Sequence, residues 1–218
     1  MVFDLDGVLV DSEGAWDAAR RALVAEEGGA WPPEASHEML GMSSPEWSRY
    51  VHERLGVALA PEQIAARVVE RVRERYRASL PLLPGAVDAV RALAANWPLG
   101  LASSSNRVVI EDVLALAGLA DRFAVTVSSE EVARGKPAPD VYLAALARLG
   151  VPPARAVAVE DSTNGLRAAA AASMHLVAVP NREFPPSGHA LGEAEVVLAS
   201  LEELTPATIR SIQAGAGG

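Results

Sequence analysis

From Leu82 onward, short apolar runs alternate with longer stretches of helical periodicity. That alternation confines the chain to a parallel sheet with helices on its faces. The run from Leu99 to Ser103 reads as strand then polar turn, Val108 to Leu116 as a helix closed by Gly118, and Ala124 to Ser128 as the next strand. The unit then repeats: Asp140 to Leu149 is a helix stopped by Gly150, Ala156 to Glu160 a strand, Gly165 to Ala172 a helix, and His175 to Val179 a strand. A weak last strand is expected at Glu195 to Leu198. Val2 to Leu5 supplies the first strand, and with so few residues ahead of Asp4 it suggests that native N-terminal residues are missing.

Between Glu13 and Leu80 the strand signal disappears. Trp16, Ala19 and Leu23 line one helix, and Ile64, Val68, Val72 and Tyr76 recur at i, i+4 on another. Pro61-Glu62 fits a helix start, Gly28-Gly29 a stop, and Pro81, Pro84 and Gly85 mark the return to the sheet. The reading is an α/β core over 1–13 and 81–214, a helical insertion over 14–80, and a flexible tail at 215–218. Arg67, Arg71, Arg73, Arg75 and Arg77 crowd the second insertion helix; interleaved with Glu70 and Glu74, they read as a solvated face rather than a phosphate site.

Composition narrows the chemistry. With 28 acidic and 19 basic residues the formal net charge is -9, which disfavours nucleic acid and anionic membranes as partners. The absence of cysteine removes disulfides, thiolate metal sites and thiol nucleophiles. No apolar run approaches the roughly 20 residues of a spanning helix, and no leader is readable, so a cytoplasmic protein is expected.

The densest chemical signal is the run Asp4-Leu-Asp-Gly-Val-Leu-Val-Asp-Ser-Glu, straight after an apolar strand. Asp4 and Asp6 this close repel unless a cation sits between them, and oxygen ligands on a rigid turn suit Mg²⁺. Gly7 lets the backbone approach a phosphate. Three further groups fall beyond later strands, where open parallel sheets bind ligands. Ser103-Ser-Ser-Asn106 offers hydroxyls and helix-terminal amides to an anion, although serine and asparagine also cap helices. Lys136 is the only lysine beside 18 arginines. Such a bias suggests that a compact ammonium is needed there. Glu160 and Asp161 place two more carboxylates at a strand end.

In this order and spacing, the run from Asp4, Ser103, Lys136-Pro-Ala-Pro-Asp and Glu160-Asp-Ser-x-x-Gly resemble the motifs of the haloacid dehalogenase superfamily. The insertion is similar to the helical cap of its phosphoglycolate phosphatase, sugar phosphatase and β-phosphoglucomutase branch. The resemblance implies a doubly wound, Rossmann-like core with an inserted helical cap. It also implies a phosphatase of small phosphomonoester metabolites, with Asp4 as nucleophile through an aspartyl-phosphate and Asp6 as acid and base. Ser103, Ser104 and Lys136 are implied to hold phosphate. Mg²⁺ is implied to lie on Asp4, the Asp6 main chain and Asp161, with Glu160 nearby through water. The cap is implied to choose the substrate, with Glu13, Trp16 and a loop at Gly41 and Met42 as candidates, hinged near Ser12-Glu13 and Leu80-Pro84.

Within the superfamily, Asp6 argues against dehalogenation, and a cap without lysine argues against the Schiff base of phosphonatases. β-Phosphoglucomutases resemble the chain less at Trp16, where they carry histidine, and at Ser44, where they carry arginine. Hydrolysis is therefore preferred to a mutase. A catalytically silent ligand-binding protein is the alternative from another class. A monomer is expected.

Overall fold

The computed structural model describes residues 1–182 and 184–215. Of the tail set apart at 215–218, Gly215 closes the last helix, and residues 216–218 lie outside the described ones. In chain order the elements are β1 (Val2–Phe3), α1 (Glu13–Glu26), α2 (Ala35–Glu38), α3 (Ser44–Arg54), α4 (Pro61–Ala78), α5 (Ala86–Ala94), β2 (Gly100–Ser103) and α6 (Arg107–Leu116). There follow β3 (Val125–Ser128), α7 (Asp140–Leu149), β4 (Val157–Glu160), α8 (Thr163–Ala171), β5 (His175–Ala178), α9 (Gly188–Leu191), β6 (Val196–Val197) and α10 (Pro206–Gly215).

The strands form one all-parallel sheet in the order β3-β2-β1-β4-β5-β6. The chain leaves β1 outward through β2 and β3, then crosses to the other side of β1 for β4, β5 and β6. That reversal is the topological switch point, where the crevice beyond the strand ends opens. Strand pleating sorts the core. Phe3, Leu101, Val159 and Val177 share one apolar cluster with Val90, Val109 and Ile209, from α5, α6 and α10. Val2, Ala102, Ala158 and Leu176 face the other way, with Val141 and Tyr142 of α7 and Ala168 of α8. A sheet covered on both faces needs near-continuous apolar strands, and residues 157–159 (Val-Ala-Val) show that pattern.

Helices α1 to α4 fill the segment in which the sequence shows no strands. Pro61 opens α4, where the Gln63 side chain accepts from the Ala60 N–H at 3.2 Å. Ser43 and Glu46 cap α3 reciprocally, with the Ser43 N–H donating to Glu46 Oε2 at 2.7 Å. The chain's exit from the core and its return lie side by side: the Asp11 N–H donates to Pro81 O at 2.8 Å and the Leu83 N–H to Leu9 O at 3.0 Å.

The arginines of α4 keep the expected solvated face, with Arg73 and Arg77 pairing Glu70 at 2.8 and 3.0 Å, and add links to other helices. Arg67 and Arg71 cross to Glu26 on α1, while Arg73 and Arg77 reach Asp112 of α6 at 2.7 and 3.2 Å. The one-helix reading could not see acidic residues that approach only through packing; the stripe joins α4 to α1 and to the sheet domain.

Candidate active site

Asp4 follows β1 directly, with its N–H donating to Val159 O at 3.0 Å. Its buried carboxylate meets Lys136, whose Nζ lies 2.8 Å from Asp4 Oδ1 and 2.6 Å from Glu160 Oε1, and donates to Ala102 O at 3.0 Å. The ammonium also stands 5.0 Å from the Tyr142 ring. The lone lysine therefore occupies a fully formed socket at the ends of β1, β2 and β4.

Glu160 is 0 % exposed, and its carboxylate is saturated. Oε1 accepts from Lys136 and from the Tyr142 hydroxyl at 2.6 Å, while Oε2 accepts from the Asp161 N–H at 3.1 Å and from Ser162 Oγ at 3.3 Å. Gly165 is required by this arrangement, because a Cβ there would sit 1.9 Å from the Glu160 carboxylate. Gly7, at φ +74°, is required likewise: a Cβ would come within 2.0 Å of Asp161 Oδ2.

Asp4, Glu160 and Asp161 bring carboxylate oxygens within 4.8 Å of one another. Three buried carboxylates share one ammonium. Burial pushes the Asp4 carboxyl up to about 8, against the pull of Lys136 and with the push of Glu160 and Asp6. Burial, then Glu160 and Asp4, likewise raises Asp161 well above the usual carboxylate range. Burial and the adjoining Glu160 raise the Tyr142 hydroxyl as well. Lys136 is raised instead, because the attraction of Asp4 and Glu160 outweighs its burial. Such an excess of buried negative charge fits a hard cation held by oxygen. Asp4 and Asp161 have capacity for it: among the described residues none donates a hydrogen bond to the Asp161 carboxylate. Glu160 has none left, and is placed to hold Lys136 and the 161–162 turn instead.

Asp6 is oriented by two serines, Ser105 Oγ donating to its Oδ2 at 2.7 Å and Ser103 Oγ at 3.3 Å. Its buried Oδ1 has no hydrogen-bond partner among the described residues. Ser103 is completely buried beneath Asp6, whereas Ser104 reaches the wall of the crevice. The N-terminus of α6 is already satisfied: the Arg107 N–H donates to Glu130 Oε2 at 2.7 Å, so the anion there is a glutamate of this chain.

Above Asp6, Ser104 and Gly41 the crevice opens into a second chamber walled by α1, α3 and the loop between α2 and α3. Trp16 and Trp47 meet edge to face there, 6.1 Å between centroids. Met42, Gly41 and Glu13 line it as well. Ser44 does not point a cation at it; its Oγ donates to Asn106 Oδ1 at 2.6 Å across to the start of α6. Three participants escape sequence reading. Tyr142 looks like one more apolar position of α7, Ser105 like part of a serine run, and Arg20 like a surface arginine.

A Rossmann-like sheet with an aspartate at the end of its central strand, a buried lysine and two acids on the neighbouring strand defines a hydrolase of the phosphoryl-handling kind. The chain belongs to the haloacid dehalogenase-like hydrolases, whose family model matches residues 1–173. It is 35 % identical over 210 residues to hexitol phosphatase B of Escherichia coli, covering 94 % of this chain and 93 % of that one. It is 34 % identical to a probable pseudouridine-5'-phosphatase of Drosophila melanogaster, covering 94 % and 90 %. Among solved structures, CbbY of Rhodobacter sphaeroides in complex with phosphate superposes with a TM-score of 0.84 at 30 % identity, covering 96 % and 97 %.

Proposed function

We propose that the chain is a Mg²⁺-dependent phosphatase of a small sugar-phosphate type monoester, working through an aspartyl-phosphate on Asp4. The observation that carries this reading is the Asp4–Lys136–Glu160 cluster beside an Asp6 held by two serines with one oxygen left over. Asp4 attacks phosphorus, and the bond from phosphorus to the leaving oxygen breaks as Asp6 delivers a proton to it. Asp6, now a carboxylate, takes a proton from water, whose oxygen attacks the same phosphorus; the Asp4 carboxylate departs and inorganic phosphate is released. Lys136 and Ser104 hold phosphoryl oxygens, while the expected phosphate contact from Ser103 gives way to a buried hydroxyl that orients Asp6. Asp4, Asp161 and the main chain of Asp6 would hold Mg²⁺, which supplies charge neutralisation for the phosphoryl group and keeps Asp4 ionised. Helices α1 to α4, residues 14–80, act as the cap that excludes water from the first displacement.

Transfer to a second sugar position is not favoured. The chamber has a tryptophan pair at Trp16, and Ser44 is engaged by Asn106. We read the protein as a cytoplasmic monomer; among the described residues no helix is long and apolar enough to cross a membrane. The test is phosphate release from a panel of phosphomonoesters, with Mg²⁺ and with chelator. Release that needs Mg²⁺ supports the reading, and silence across the panel from folded, metal-loaded protein would leave only a ligand-binding role.

A further inference from the structure

The chamber above Asp6 contains a cation that the proposed chemistry does not use. Arg20 is 3 % exposed, one turn along α1 from Trp16. Its Nε donates to Trp16 O at 3.2 Å, its Nη2 lies 3.3 Å from Glu13 Oε1, and its guanidinium stands 6.0 Å from the Trp47 ring. Nη1 has no acceptor among the described residues. A buried guanidinium that faces a chamber with spare N–H groups is a donor surface for whatever enters.

The charges around it select the visitor. Among the described residues that line the chamber, Arg20 is the one cation, and Glu13 is the carboxylate paired with it, apart from the acid Asp6. Glu13 already neutralises Arg20, and Asp6 stands at the chamber floor. A leaving group with its own carboxylate or second phosphate would enter against the Glu13 carboxylate, with only a guanidinium already paired to that carboxylate to meet it. Like charges placed together across a contact are strongly disfavoured. A neutral, hydroxyl-rich group meets none of this. Its hydroxyls accept from Arg20 and donate to Glu13, while its C–H faces rest on the Trp16 and Trp47 indoles.

Resting on the phosphatase reading above, we propose that Arg20 and Glu13 form a charge-neutral specificity pair. It commits the enzyme to uncharged polyhydroxylated leaving groups and rejects those that carry a second anion. Glu13 acts twice: it accepts a substrate hydroxyl and cancels the cation that would otherwise attract an anion.

The experiment compares kcat/KM of the Mg²⁺-loaded enzyme for sorbitol 6-phosphate, 2-phosphoglycolate and fructose 1,6-bisphosphate, in the wild type and in Glu13→Gln. The wild type is expected to favour the neutral leaving group by about 10²-fold or more, the scale on which sites with matched polar groups discriminate. Glu13→Gln leaves Arg20 uncancelled, so this ratio is expected to fall by about tenfold or more towards the anionic esters. A merely structural Glu13 lowers all three substrates together and leaves the ratio fixed, which overturns the proposal. So does a wild type that turns over an anionic ester as well as the neutral one, a result that needs no variant to fold. In both cases hydrolysis persists and the phosphatase reading stands; silence on every ester defeats that reading, and this inference with it.

Discussion

At the sheet edge, Asp4, Ser103 and Glu160 each sit at the last residue of a strand or one beyond it, so a register of two or three residues fixes where each side chain goes. In the chamber above, Glu13, Trp16 and Arg20 from α1 meet Trp47 from α3, and no strand register relates them. The first region is rigid because its carboxylates and single ammonium are buried and cross-bonded. The second is set by how helices pack, and its carboxylate, Glu13, is more open than those of the sheet edge. Chemistry is thus anchored in the sheet, and selectivity is carried by elements that can vary without disturbing it.

Substitutions test how sharp that division is. Lys136→Met leaves Asp4 and Glu160 without their cation, and breaking a buried pair costs about 3–5 kcal/mol. Urea denaturation should show that loss together with near-abolished turnover; a stable, active variant would mean the sheet edge is not held by this lysine. Tyr142→Phe removes one hydrogen bond to the buried Glu160, a loss of about 1.5–3 kcal/mol for a charged acceptor. It should lower kcat and weaken Mg²⁺ activation with KM nearly unchanged; a change confined to KM would place Tyr142 with the chamber. Asp112→Ala cuts the link from α6 to Arg73 and Arg77 at the half-exposed seam, where ion pairs contribute about 1 kcal/mol or less. Stability should hardly move, and salt titration should erase what effect remains.

The same division explains what could be read without coordinates. All six strands fall within two residues of their sequence positions, because Val-rich runs between glycine and serine turns leave little choice. Asp4, Asp6, Glu160 and Asp161 were legible because a charge at the end of an apolar run is conspicuous, and Lys136 because it is the only lysine. Helix α3 was not, since its Trp47 and Val51 make sense as a buried face only against α4. Tyr142 was hidden because its partner Glu160 lies 18 residues away, and Arg20 because its burial against Trp47 of another helix is not visible from its own helix. The α4 arginines pair Glu70 as the spacing suggests, but their links to Asp112 and Glu26 reach other helices that sequence spacing does not connect to α4.

The most direct test of the account is capture of the intermediate. Enzyme turning over a phosphomonoester in Mg²⁺ is quenched in acid, digested, and its peptides weighed. The account predicts one phosphoryl increment on the peptide that contains Asp4, absent in Asp4→Asn and absent when chelator replaces Mg²⁺. A phosphoryl group on any other residue, or undiminished turnover by Asp4→Asn, would contradict it.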